Sequence, residues 1–306
     1  MPEDLVPEKI PTETFAVGSS QYVISPAMGC RLMKWTLSTF SGDREVLYWP
    51  EDRGETPFAK IRGGNPILFP FSGRSYDRGV LHAWRDPRGV RRTMPIHGFA
   101  RQGRFRIAER SDNALTAVLE PDGEAMEAYP YDYTFAVRYR FEELAFSVSL
   151  ILTNLGNERI PWSAGHHFYF NVPWHTGANR SDYQLHMDSR KCAYPSPEGK
   201  LIMEKDRETC HNLADIKLLE RIHWELRRNR ISFGPKGGEE DVHLIIGNDP
   251  VPQKNHSLVT WSESETAPFY CVEPWMGPPN AAEHGKGLHW VAPGEQQAFD
   301  VEVSLF

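Results

Sequence analysis

Cysteine is scarce in this sequence, with four in 306 residues and no C-x-x-C pair, so neither a secretory disulfide framework nor a cysteine-rich zinc module is the scaffold. Cys30, Cys192, Cys210 and Cys271 stand alone and read as reduced, buried thiols. No stretch approaches the ~18 consecutive apolar residues of a membrane-spanning helix. An excess of positive charge is also lacking: 34 lysines and arginines face 41 acids, a formal net charge of −7. A general nucleic-acid binder would need a basic face. The basic clusters at 85–92 and 221–230 read as solvated loop or strand residues. There is no internal repeat and no low-complexity linker, and the acidic, proline-rich start lacks the basic residues and apolar stretch of a signal peptide. A cytoplasmic protein without membrane or nucleic-acid partners is expected.

What is present is a hydrophobic period of two, the mark of strands with one buried face. Tyr133, Phe135, Val137, Tyr139 and Phe141 alternate with polar or small residues, and after Glu142-Glu143 the phase resumes through Leu144, Phe146, Val148, Leu150 and Leu152, predicting a β-hairpin. Leu115 to Leu119, Tyr22 with Ile24, and Phe299 to Leu305 repeat the pattern. Helical signals are limited to 212–219 and 57–62. The 24 prolines and 24 glycines are scattered as punctuation between short strands. We expect an all-β fold, one large antiparallel β-sandwich over 1–306, with 1–13 as a loose arm and 86–93 and 176–215 as long excursions.

Three short motifs carry chemistry: Pro95-Ile96-His97-Gly98-Phe99-Ala100-Arg101, Gly165-His166-His167-Phe168-Tyr169-Phe170-Asn171, and Cys271-Val272-Glu273-Pro274-Trp275. Together they supply imidazoles that titrate near neutrality and one carboxylate. Taken alone, His97 sits at a strand or loop edge, where a core histidine satisfied by a backbone carbonyl is the commoner fate. His166 and His167 are adjacent, so in a strand only one faces a given cleft; with no third ligand at useful spacing, the pair is not a zinc site. Glu273 sits in a stretch built for burial, where a carboxylate is costly unless paired and its pKa rises. The run from Gly63 to Arg74 ends in Gly73-Arg74, where a guanidinium can present paired donors to sugar hydroxyls. Trp275, Trp174 and Trp261 offer stacking faces for a sugar or simple core packing.

The order and spacing of these motifs resemble the aldose 1-epimerase (mutarotase) family, from Gly29-Cys30-Arg31-Leu32 to the Pro293-Gly294-Glu295 turn. The resemblance implies a β-supersandwich of the galactose-mutarotase type and cofactor-free interconversion of α and β anomers of an aldose, by a monomer or homodimer acting on a small sugar. It makes His167 the general acid, Glu273 the general base and His97 a contact near the ring oxygen. It makes Arg74 a hydroxyl-binding residue, with Asn171 and Trp275 as further substrate contacts, and Asp241 the best match to an aspartate that binds sugar hydroxyls. No metal and no cofactor are called for. A bell-shaped pH profile with both limbs within a few units of neutrality is expected.

Three alternatives stay open. A hexose-6-phosphate 1-epimerase would add a phosphate clamp, with Arg74, Arg78, Arg91 and Arg92 as candidates. A carbohydrate-binding or sensing protein would keep the cleft without turnover. A glycoside hydrolase would want a second acidic residue flanking the scissile bond.

Overall fold

The computed structural model describes residues 10–52, 54, 56–205, 208–238 and 240–306. Two large antiparallel sheets, of nine and eight strands, dominate it, and a four-stranded sheet of 13–45 flanks them. At the heart of the nine-stranded sheet is the expected hairpin, Tyr133–Phe141 against Ala145–Asn154, in an unbroken register from Tyr133 opposite Asn154 to Phe141 opposite Phe146. The last strand, Gln296–Leu305, pairs with Ala145–Asn154 on one side and Val242–Ile246 on the other. Period-two patterning thus yields strands with one dry face. Phe135, Val137, Tyr139, Phe146, Val148, Leu150, Phe299 and Val301 are all essentially inaccessible to solvent.

The eight-stranded sheet carries the chemistry. Its central strand, Phe269–Trp275, lies between Ser257–Trp261 and the segment 165–171. Alternation divides its residues cleanly. Tyr270, Val272, Leu258, Phe168 and Phe170 belong to the main core shared with the nine-stranded sheet, whereas Val259 and Trp275 join Leu68 and Ile222 in a second cluster on the opposite face. One continuous apolar cluster runs from Phe15 to Leu305.

Several expectations are corrected. Of the supposed arm, residues 1–9 lie outside the described residues, but Ile10 is buried against Met33, Phe58 and Ile61, and Glu13–Val17 is the first strand. The segment 176–215 is no excursion: Tyr183–His186 and Cys210–Asn212 pair within one large sheet, and Ser189–Pro195 and Leu201–Glu204 within the other. Its strands are short and lie near sheet edges, so they carry little periodic signal. The basic clusters are solvated only in part: Arg88, Arg227, Arg228 and Arg230 are exposed as expected, whereas others are engaged. Arg85 and Arg91 share Asp77, Arg92 pairs with Asp86, and Arg221 is buried against Cys192 and Glu204. Cys210 is exposed, unlike the other three cysteines. Among the described residues helix is confined to short turns, including 3₁₀ turns at Phe58–Lys60 and Ile216–Leu219 inside the two stretches that carried helical signals. No helix among the described residues is long and apolar enough to cross a membrane.

Candidate active site

The outer face of the eight-stranded sheet floors a cavity of about 290 Å³. Strand parity decides what looks into it. His167 and Tyr169 point to the cavity, while their neighbours His166, Phe168 and Phe170 point to the core. On the next strand Glu273 and Trp275 face the cavity, and Val259 stands opposite Glu273 in register. Three remote motifs therefore meet: His97, His167, Glu273 and Trp275 line one space, together with Arg74 and Trp261.

At the floor, His167 Nε2 lies 3.5 Å from Glu273 Oε1. Glu273 is 1% exposed, and its Oε2 has no protein hydrogen-bond partner. Burial holds the Glu273 carboxyl well above its ordinary range, opposed by the nearby indole of Trp275, whose N–H donates to the His166 carbonyl (3.1 Å). Burial also pushes the His167 imidazole down to about 3, reinforced by the positive charges of Arg101 and Arg31. Both effects favour a neutral pair holding one proton between two adjacent atoms.

His97 comes from a loop and is pinned at two points. Its backbone N–H donates to the Gly73 carbonyl (2.8 Å), and Gly73 N–H donates to His97 Nδ1 (3.2 Å). An Nδ1 that accepts leaves the ring proton on Nε2. Burial, first, and then the neighbouring His167 ring and the Arg101 and Arg74 guanidiniums, hold this imidazole well below its ordinary range. The loop needs its glycines: at Gly98 (φ 72°) a Cβ would lie 1.9 Å from the Phe69 carbonyl oxygen, and at Gly73 (φ 77°) 2.6 Å from Pro279. The His97 ring meets those of His167 and Trp275 edge-on, at 5.3 and 5.8 Å between centroids.

Asn65, not singled out by the sequence reading, holds both adjacent histidines. Its Oδ1 accepts the His167 backbone N–H (3.1 Å), and its Nδ2 bonds His166 Nδ1 (3.1 Å). It is wholly buried. The available signal was a lone amide inside the Gly63-Gly64-Asn65-Pro66 turn.

Several expected contacts lie elsewhere. Asp241 sits at the start of Val242–Ile246 in the nine-stranded sheet, where its carbonyl accepts the Phe306 N–H. Asn171 donates to the Glu45 carbonyl, and Trp174 packs on Tyr183 beneath Arg44. None of the three lines the cavity. Arg91 and Arg92 are tied to Asp77 and Asp86, and Arg78 lines a different depression with Lys200. Arg74 does line the cavity, half-exposed, with its Nη1 4.0 Å from Glu220. His167 alone of the two adjacent histidines has possible co-ligands in space: ligand atoms of His167, Cys271 and Glu273 lie within 4.8 Å of one another, a set that could hold a metal ion.

Comparison with known proteins agrees with this picture. A family model described as aldose 1-epimerase matches residues 21–304. Over 236 residues the chain is 27% identical to a Lactococcus lactis protein named LacX, covering 74% of this chain and 78% of that one. A galactose mutarotase-like protein from Lactobacillus casei superposes with a TM-score of 0.77 at 23% identity, covering 97% of this chain and all of the other. One from Clostridium acetobutylicum gives 0.79 at 16% identity, with 99% and 97% covered.

Proposed function

From the premise that the chain belongs to the aldose 1-epimerase family, we propose that it interconverts the α and β anomers of a hexose by acid–base ring opening and closure. The observation that carries this reading is the 3.5 Å separation of His167 Nε2 and Glu273 Oε1 on a buried floor. The two oxygens that exchange protons in mutarotation, O1 and O5, are both bonded to C1, so acid and base must be close neighbours. A glycosidase instead needs two carboxyl groups ~5 Å or more apart. Here the second acid lining the cavity is Glu220, which is largely exposed beside Arg74.

The sequence of events follows. Sugar hydroxyls entering the cavity donate to Glu273, whose Oε2 has no protein partner. They stabilise the carboxylate and let the shared proton rest on His167 Nε2. Glu273 takes the O1 proton while His167 gives its proton to O5; the C1–O5 bond breaks and the open-chain aldehyde forms. Rotation about C1–C2 presents the other carbonyl face. Closure with both transfers reversed yields the opposite anomer and restores the pair. His97, donating from Nε2, supports charge at the ring oxygen. Arg74 donates to hydroxyls, and Trp275 and Trp261 wall the ring.

The test is anomer exchange followed by NMR or polarimetry on freshly dissolved α-glucose and α-galactose. Acceleration of one of them that vanishes in Glu273→Gln, with the fold kept, is the expected result. Wild-type rates in that variant would reject the role of Glu273.

A further inference from the structure

The strand that carries Glu273 holds a polar side chain that the proton chemistry leaves unused. Cys271 lies two residues before Glu273, on the same face of Phe269–Trp275, and stands opposite Tyr169 in register. Its thiol is wholly buried, packed with Tyr169, Ala267 and Phe269. One ligand atom from each of His167, Cys271 and Glu273 lies within 4.8 Å of the other two. In the same group His167 Nδ1 and Glu273 Oε2 are buried without protein partners.

These separations suit an ion of the zinc class. Zinc bonds of ~2.0–2.1 Å to nitrogen and oxygen, meeting at a tetrahedral angle, set those two atoms ~3.4 Å apart. His167 Nε2 and Glu273 Oε1 are 3.5 Å apart. A zinc–sulfur bond of ~2.3 Å asks for ~3.6 Å from sulfur to either partner, so the thiol has at most ~1.2 Å to close. A turn about its Cα–Cβ bond supplies that. Imidazole, thiolate and carboxylate together favour zinc, cobalt or cadmium over magnesium or calcium. Three protein ligands leave a fourth position for water on the cavity side.

Charge decides whether a buried floor tolerates such an ion. The positive charges of Arg101 and Arg31 already act on His167, so a dication added alone would be repelled. A bound metal instead displaces two protons to water, the one held between His167 and Glu273 and the one on the Cys271 thiol. Carboxylate and thiolate form as the ion enters. The net charge of the floor is therefore unchanged.

We propose that His167, Cys271 and Glu273 form an inhibitory metal site, in which a zinc-class divalent cation takes the place of the shared proton and excludes the sugar. The exclusion rests on the epimerase reading; the metal site does not. A loaded molecule has lost both its acid and its base, because the ion engages His167 Nε2 and Glu273 Oε1. Cys271 does not line the cavity, so it tunes affinity for the metal without meeting the sugar.

The experiment starts from Cys210→Ser, because exposed Cys210 lies 4.0 Å from His186 Nε2 and can take up metal there. This parent, and the same protein carrying Cys271→Ser, are titrated with cobalt(II) and then zinc(II) chloride. The parent is expected to bind about one ion per chain through sulfur, giving a thiolate-to-cobalt charge-transfer band in the near ultraviolet that zinc abolishes. Its anomer exchange should be inhibited by zinc and restored by EDTA, and added sugar should weaken the inhibition. Cys271→Ser should keep metal-free turnover within about twofold, lose the band, and need at least ~10-fold more zinc for half-inhibition. Cys271→Ala takes its place if the serine variant does not fold. No sulfur-to-cobalt band in the parent, a band that survives loss of Cys271, or equal zinc sensitivity in the two proteins overturns the site. If no sugar is exchanged above the spontaneous rate, the epimerase reading fails by itself, and the cobalt band with its dependence on Cys271 still decides the metal site.

Discussion

His166 and His167 are neighbours in one extended segment and share a residue type and a hydrogen-bond partner in Asn65, yet they belong to different worlds. His166 is sealed in the core, its ring stacked between Phe168 and Phe299 at 5.2 and 5.9 Å. His167 stacks on Tyr169 at 4.6 Å and turns Nε2 to Glu273. Burial pushes both imidazoles down to about 3. What separates them is what stands opposite: hydrocarbon for one, a carboxyl and an open cavity for the other. A shifted pKa marks both alike, so only geometry says which of them can move a proton to a ligand.

The sharpest way to break this contrast is substitution. His167→Gln is expected to lower turnover by ~10²–10⁴-fold, measured by anomer exchange, with the melting temperature little changed. His166→Ala should do the reverse: about 2–4 kcal/mol of stability lost through the cavity and the stranded Asn65 amide, read by urea unfolding, with turnover of the remaining folded protein kept. Equal loss of turnover in both variants at unchanged stability would erase the distinction.

Acid titration sharpens it further. In the unfolded chain His166 and His167 take up a proton near 6.5, whereas in the fold they resist protonation to about 3. The unfolded state therefore binds more protons in that window, and stability should fall as pH drops from 6.5 towards 3, by up to ~1.4 kcal/mol per pH unit for each such histidine. His166→Phe should remove one histidine's share of that slope. Turnover follows the pair instead. A second proton leaves no base, and loss of the only proton leaves no acid. The acid limb of kcat/KM should thus lie well below 6.5, and the alkaline limb above the ordinary carboxylate range, because burial raises Glu273. The bell is wider on its acid side than the motifs alone imply.

The smallest effects lie at the rim and beyond. Arg74→Ala should raise KM by ~2–10-fold, the value of one or two hydrogen bonds, with kcat held. Asp241→Asn, in the other sheet, should leave KM within about twofold. A large effect of Asp241→Asn would relocate the sugar.

Much of this was legible before the structure. The hairpin 133–152 follows from alternation, and the same parity says that only one of two adjacent histidines can face a cleft. Residues on strands whose neighbours are strongly patterned, such as Glu273 between Val272 and Pro274, are well located by that rule. Asp241 is not, because a short acidic loop carries no mark of which sheet it precedes. Asn65 was opaque for another reason: a buried amide acts through whatever the fold sets on either side of it, and its two partners lie a hundred residues away. Cys271 was visible within its motif, but its nearness to His167 is a property of three dimensions.

The alternation along 165–171 also limits how this region can evolve. Removing or inserting a single residue there would rotate every later side chain to the other face, sending His167 or Glu273's partner atoms into hydrocarbon and a phenylalanine into the cleft. Lineages of this protein can therefore exchange side chains along that strand one at a time, but a change in its length would have to be undone within the same strand to be survivable.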